Sequence, residues 1–339
     1  GRVRPQEGRQ GLALPAEPSD ASEHAPGRPA GHIADRLAAA VAERESQIVL
    51  GLDPDPAKLW PEADEAAANA LGAAPAARAA AGVLAHCRAV IDAVGDAVVA
   101  VKPQVACFER LGAPGWNALA ATIAHARAAG LFVLADGKRG DIDVTATAYA
   151  QGFLGATPGV GEDGTIPGLG ADALTVNPYM GLDTLRSFAT VGRAHEAGLF
   201  VLVRTSNPGA ADLEDEPLAR GGTVWERVAE LVAELGAEHR APLSGLSDIG
   251  AVLGATRPEH LARARELLPH AIFLLPGVGA QGGRVEDLAP AFAPGRAAGL
   301  VTASRSIVRA HEQGGDGASP ADAARAEAQR LRAAAWALG

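Results

Sequence analysis

Three charged residues stand close together in the middle of the chain: Asp136, Lys138 and Asp141, spaced Asp-x-Lys-x-x-Asp. A lysine ammonium is a compact cation with protons to give, and carboxylates on either side would hold it in a defined position. So held, it can stabilise a carbanion as the carbanion develops and then protonate it. Lysine is also scarce. Lys58, Lys102 and Lys138 are the three lysines among 30 basic residues, and the other 27 are arginines. With so much Ala, Gly and Pro, this points to a coding bias that writes arginine wherever either residue serves. A lysine kept against that bias marks a position that needs a point charge or an acid, which arginine effectively cannot be. Lys102 and Lys138 are the lysines most plainly kept for their chemistry, and Lys58 is as well explained by chance.

A second constellation lies near the C-terminus. Pro276-Gly-Val-Gly279-Ala-Gln281-Gly-Gly283 is followed about twenty residues later by Ser304-Arg305-Ser306. A glycine-rich turn lets backbone N–H groups approach an anion, and a guanidinium supplies a fork matched to phosphate.

The elements that must position these groups are legible from periodicity. Eight short, nearly continuous apolar runs occur at 48–52, 97–101, 131–135, 173–176, 200–203, 249–253, 272–275 and 300–302. Such runs suit parallel strands covered on both faces. Stretches of helical period separate them. Trp225, Val228, Leu231, Val232 and Leu235 share one face, a first helix begins near His32, and a last one fits 321–338. The pattern predicts an α/β fold, a (β/α)8 TIM barrel of the phosphate-binding type. An open doubly wound sheet is the other arrangement, but no Gly-x-Gly-x-x-Gly follows the first run. In a barrel the catalytic groups follow the strands. Asp53, Lys102, Asp136, Lys138, Asp141, Asn177, Pro276, Ser304 and Arg305 all do so, with charge gathered at one rim.

Residues 1–30 carry no apolar period and are read as a disordered leader, with 31–339 a single catalytic domain. Residues 157–167 read as a Gly-rich surface insertion. Residues 207–222 read as a solvated acidic loop (Asp212, Glu214, Asp215, Glu216), with part of a lid as the other reading. A net charge of −10 argues against nucleic-acid binding. Cys87 and Cys107 are too few for a disulfide framework and lack metal-ligand spacing. No apolar run reaches the roughly 18 residues of a membrane span. A cytoplasmic protein with no membrane partner is the expectation.

Several segments together resemble orotidine 5′-phosphate decarboxylases, specifically the longer bacterial type-2 branch. They are Gly51-Leu-Asp53-Pro-Asp55, Val101-Lys102-Pro-Gln104, Asp136-Gly-Lys138-Arg-Gly-Asp141-Ile142, Leu174-Thr-Val-Asn177-Pro-Tyr179, Val203-Arg-Thr-Ser206-Asn-Pro208, the 276–283 loop and Thr302-Ala-Ser-Arg305-Ser-Ile307. The resemblance spans about residues 32–310. It implies decarboxylation of orotidine 5′-phosphate to uridine 5′-phosphate, with Lys138 protonating C6 and Asp136, Asp141 and Lys102 completing the array. It implies that Asp53 and Lys102 hold the ribose hydroxyls, that Asn177 faces the pyrimidine, and that Gln281 and Arg305 grip the phosphate. It further implies a homodimer in which Asp141, Ile142 and Thr145 serve the partner's site, and no metal or organic cofactor. One departure stands out. The family's motif continues with Gly or Pro after the Ile, whereas Asp143 stands here.

Two other functions fit parts of the pattern. A magnesium-dependent keto-gulonate-phosphate decarboxylase or a hexulose-phosphate synthase shares Asp-x-Lys-x-x-Asp, but Lys102 would repel a cation where such an enzyme needs carboxylates. A non-catalytic nucleotide-binding barrel would have no need of an intact charged array.

Overall fold

The eight aliphatic runs become eight parallel strands: β1 (Ile48–Leu52), β2 (Ala100–Pro103), β3 (Phe132–Arg139), β4 (Ala173–Val176), β5 (Gly198–Arg204), β6 (Ile249–Leu253), β7 (Phe273–Leu275) and β8 (Gly299–Ala303). Each pairs with the next, and β8 returns to pair with β1, so the sheet closes into a barrel. This computed structural model describes residues 30–69, 73–161, 163–279, 282–312 and 318–339. The expected leader lies, up to residue 29, outside the described residues.

Every residue of β1, β2, β4, β6, β7 and β8 is buried. That is why the runs are apolar throughout rather than alternating. One face packs against the surrounding helices, in a core that includes Leu50, Val101, Leu174, Val201 and Phe273. The helix expected around Trp225 is Val224–Ala237. Thr223 caps it reciprocally: its hydroxyl accepts from the Glu226 N–H while the Glu226 carboxylate accepts from the Thr223 N–H. Between β7 and β8 the crossover is a 3-10 turn, Val285–Phe292, with Pro290 inside it. Proline removes a backbone donor that an α-helix there would use.

The other faces point into the barrel, and the N-terminal helix Ile33–Arg44 closes its floor. Ile33, Ala34, Leu37 and Val41 pack against Val49, Val99, Phe132, Ala173, Phe200 and Leu300. Arg44 then donates to the carbonyls of Gly95, Val98, Ala129 and Gly130 beneath the strands. With that end sealed, the cavity has to form at the strands' C-terminal ends.

Three local expectations change. The second strand begins later than residue 97, because Gly95–Ala97 forms a 3-10 turn. The third runs on through Asp136 to Arg139, with a register shift between Ala135 and Arg139. Residues 157–167, read as a surface insertion, gain regular structure at both ends. Ala156–Pro158 and Thr165–Pro167 pair as an antiparallel hairpin that leaves Val160 and Ile166 exposed.

Candidate active site

Asp136 is the hub. It is buried, and both carboxylate oxygens are used. Oδ2 accepts from Lys102 Nζ at 2.6 Å and Gln104 Nε2 at 3.1 Å, and Oδ1 from Lys138 Nζ at 2.6 Å and Thr175 Oγ1 at 2.9 Å. Burial alone would push its pKa up. The two ammonium groups outweigh that and hold it well below the usual carboxylate range. Lys102 is also buried. Burial would push it down, but the charges of Asp136 and Asp53 prevail and the net shift is upward. Lys138 differs from Lys102 in access, since its side chain is 46% exposed against 8%. Of two ammonium groups on one carboxylate, one is locked in protein and the other faces the opening.

The backbone explains how Lys138 reaches this position. The register shift at the end of β3 puts Lys138 at φ 46°, a left-handed conformation that costs a non-glycine residue about 1–2 kcal/mol. Its N–H donates to Thr175 Oγ1 on β4 at 2.9 Å, so the hydroxyl that supports Asp136 also supports the kink. Gly51 serves the neighbouring strand pair. A Cβ there would lie 2.7 Å from Ser304 Cβ, so glycine lets β1 approach the residue whose hydroxyl donates to Asp53 Oδ2 at 2.6 Å.

These groups open into a cavity of about 480 Å³. Asp53, Lys102, Asp136 and Lys138 form its charged end, with Gln104 and Thr175 beside them. Leu202, Val252 and Leu274 give it an apolar base. Pro276, Gly277, Val278, Ser304 and Arg305 form a second wall, which meets the charged end where Ser304 bonds Asp53, and Thr205, Ser206 and Asn207 line a third side. Among the described residues the Arg305 guanidinium has no hydrogen-bond or ion-pair partner. An unpaired guanidinium at the wall of a cavity is suited to an anion.

The residues singled out in the sequence therefore divide. Asp53, Lys102, Asp136, Lys138, Pro276, Ser304 and Arg305 line one cavity. Gln281 lies outside the described residues. Asp141, Ile142 and Thr145 sit on the outer rim and do not line the cavity: Asp141 accepts from the Ile142 N–H at 2.8 Å, and Ile142 and Thr145 are exposed. Asn177, expected to face the ring, also stays outside. β4 ends at Val176, and the Asn177 amide oxygen accepts from the Tyr179 N–H at 2.9 Å, closing a turn instead.

Gln104, Thr175, Thr205, Ser206, Asn207 and Thr302 were not singled out, and all line the cavity. For Gln104 a signal existed. Residues two apart on a strand share a face, so Gln104 had to follow Lys102. Thr302 contributes a buried hydroxyl without a partner among the described residues. The acidic stretch at 212–216 is not wholly solvated either, because Glu214 and Asp215 bind Arg204 at the end of β5.

The sequence model of the orotidine 5′-phosphate decarboxylase / HUMPS family matches residues 46–317. The chain belongs to this family. It is 43% identical over 285 residues to an orotidine 5′-phosphate decarboxylase from Rhodopirellula baltica, covering 83% of this chain and 89% of that one. It is 46% identical over 218 residues to that of Deinococcus radiodurans, covering 64% and 74%. The structure of Leishmania donovani OMP decarboxylase superposes with a TM-score of 0.63 at 30% identity, covering 88% of this chain and 98% of that one. The structure shows what the departure at Asp143 entails. Asp143 takes φ 44°, a left-handed value that glycine adopts freely and that strains an aspartate.

Among the described residues, the His/Asp group close enough to share a cation is His32, His239 and Asp248. It lies at the opposite end of the barrel, and Arg193 already pairs with Asp248 at 2.6 Å. No helix among the described residues is long and apolar enough to cross a membrane.

Proposed function

We propose that this chain decarboxylates orotidine 5′-phosphate to uridine 5′-phosphate, acting as a carbon–carbon lyase. The observation that carries the reading is Asp136 saturated by two ammonium groups, one buried and one open to a cavity also lined by Arg305, an arginine without a partner among the described residues. The 5′-phosphate binds at the Arg305 wall and C6 of the pyrimidine meets Lys138. As the C6–carboxylate bond breaks, CO2 leaves and its electron pair stays on C6 in an orbital poorly conjugated with the ring. The Lys138 ammonium stabilises that charge and then transfers a proton to C6, becoming a neutral amine that its exposure lets solvent reprotonate. Each 1.36 kcal/mol removed from the barrier is worth tenfold in rate. Asp53 and Lys102 engage the ribose hydroxyls.

The reaction needs no metal and no organic cofactor. Both oxygens of Asp136 already accept from ammonium groups, so a divalent cation entering this rim would meet two positive charges. That weighs against the magnesium-dependent sister barrels, and the relatives bearing the decarboxylase name weigh against them too. The deciding assay follows the absorbance of orotidine 5′-phosphate with a chelator present. Turnover should persist. Complete loss in chelator, restored by Mg2+, would instead support a sister barrel.

The active form is a homodimer with shared sites. Beside the cavity, Ile142, Val144, Tyr179 and Met180 are 53%, 83%, 82% and 42% exposed, an apolar patch of the kind that marks an interface. Asp141 and Thr145 lie in the same segment, which supports a role for them in a second copy's site. Mixing inactive Asp141→Ala and Lys138→Ala chains should recover part of the activity, because one site in the mixed dimer regains both residues. No recovery despite proven subunit exchange would count against shared sites.

A further inference from the structure

The decarboxylation step leaves Lys58 without a task, and Lys58 lines a second cavity, of about 460 Å³. The two cavities have Asp53, Ser304 and Arg305 as a common wall. Trp60, which is buried, ties three elements together around the second one. Its backbone N–H donates to His86 Nδ1 at 3.0 Å on the helix Pro75–Val94, and its indole N–H donates to the Val308 carbonyl at 2.9 Å, beyond β8. Asp55 closes the turn that carries Lys58. Its carbonyl accepts from the Lys58 N–H at 2.8 Å, and its carboxylate from the Ala57 N–H at 3.2 Å.

This cavity holds more donors than the protein uses. The Lys58 ammonium and the Arg305 guanidinium have no hydrogen-bond or ion-pair partner among the described residues. His86 is buried, and because its Nδ1 accepts, the neutral ring carries its proton on Nε2. That N–H has no partner among the described residues either, and it is not sealed from solvent. Arg309 is a further cation on the wall, already paired with Glu312. The two acids of the wall are engaged. Asp53 accepts from the Ser304 hydroxyl, and Asp55 lies 3.8 Å from Arg110. What the cavity lacks is an acceptor that carries negative charge, and phosphoryl oxygens supply both properties.

We propose that the second cavity receives the outer phosphoryl groups of a uridine 5′-diphosphate or 5′-triphosphate whose nucleoside and first phosphate occupy the active cavity. The proposal rests on the decarboxylase reading, which puts the 5′-phosphate at Arg305. A guanidinium has five N–H donors in a planar fork, enough to serve a phosphoryl group in each cavity. The next phosphoryl group, one bridging oxygen along, passes the shared wall and meets Lys58 and the His86 N–H. These nucleotides are further phosphorylated forms of the reaction product. Bound in this way they exclude the substrate, so the enzyme slows as its product is phosphorylated onward.

The test measures dissociation constants by calorimetry, with a chelator present, for uridine 5′-phosphate, its diphosphate and triphosphate, and pyrophosphate. The proteins are the parent, Lys58→Gln and Lys58→Glu; Lys58 is exposed, so both variants keep the fold. The parent should bind the diphosphate and triphosphate at least as tightly as the monophosphate, and both should inhibit turnover of orotidine 5′-phosphate competitively. Lys58→Gln should weaken them by about tenfold, the scale of one charge-assisted hydrogen bond, and Lys58→Glu by more. Monophosphate affinity and kcat should stay near parental in both, because Lys58 does not line the active cavity. Pyrophosphate should compete with the monophosphate for Arg305. Unchanged diphosphate and triphosphate affinity in both variants would overturn the proposal, as would equal weakening of the monophosphate. Pyrophosphate bound alongside the monophosphate would overturn it too, since the cavity would then be a separate anion site. Failure of the parent to turn over orotidine 5′-phosphate, with these affinities intact, would instead overturn the decarboxylase reading.

Discussion

Lys138→Arg keeps the charge and removes the acid. The Lys138 ammonium stands 2.6 Å from Asp136 Oδ1, and its side chain is nearly half exposed, so a guanidinium has room to keep the ion pair. Asp136 would still be flanked by two cations, and Lys102 would be untouched. The stability change should stay within about 1 kcal/mol, the range of partly exposed ion pairs. What is lost is the proton, because a guanidinium is too weak an acid to give one up at neutral pH. Positioned proton transfer is worth roughly 10²–10⁴ in rate, equivalent to about 3–5 kcal/mol of barrier. The assay is the fall in orotidine 5′-phosphate absorbance with purified protein, alongside thermal unfolding and uridine 5′-phosphate affinity, both of which should remain near parental. Lys58→Arg is the matched control. Lys58 lines a neighbouring cavity, not this one, and the exchange should leave turnover nearly normal. Activity of Lys138→Arg within about tenfold of the parent would refute the assignment of Lys138 as the acid.

Two further outcomes follow from individual side chains. Arg305→Ala should weaken uridine 5′-phosphate by about 1.5–3 kcal/mol, leave uridine affinity unchanged and barely move the melting temperature, since the guanidinium has no protein partner among the described residues to lose; unchanged nucleotide affinity would remove Arg305 from the phosphate site. His86 is buried, accepts from the Trp60 N–H at 3.0 Å, and is pushed down to about 4 by burial and, secondarily, by His311. Between the ordinary 6.5 and about 4 the unfolded chain binds the extra proton, so stability present above pH 6.5 is lost as pH falls toward 4, by about 3 kcal/mol in all. Glu and Asp side chains add their own acid limb, but His86→Gln, which still offers an acceptor to Trp60, should flatten the melting-temperature profile over that window; parallel profiles would argue against His86.

The barrel was legible because its strands are buried on both faces, and that leaves an unmistakable run of Val, Leu, Ile and Ala. The charged rim was legible because residues following barrel strands face the cavity. What escaped depends on contacts between elements. The left-handed Lys138 exists because Thr175 on the next strand receives its N–H, and no local pattern announces that. Glu214 looked like one acidic residue among several in a loop, and only folding brings it against Thr205. Asn177 misled for the opposite reason. It follows a strand as a site residue should, but an Asn-Pro pair closes turns as readily as it lines cavities. The 156–167 hairpin was hidden by its short strands and its glycines.

The helix that closes the barrel floor binds the first and last elements of the barrel into one cooperative unit. Ile33–Arg44 is made early, yet its apolar stripe packs against strands from every quarter of the barrel, including Leu300, and against Ala298 and Trp336 near the other end. During synthesis it has no complete surface to dock on until β8 has emerged. An incomplete barrel would also expose two unpaired strand edges, the hazard of a sheet not yet closed. Closure of β8 on β1 and docking of the first helix should therefore occur together and late. Shortening the chain from the Trp336 side should loosen the first helix, distant in sequence though it is, before it disturbs the charged rim at the far end of the barrel.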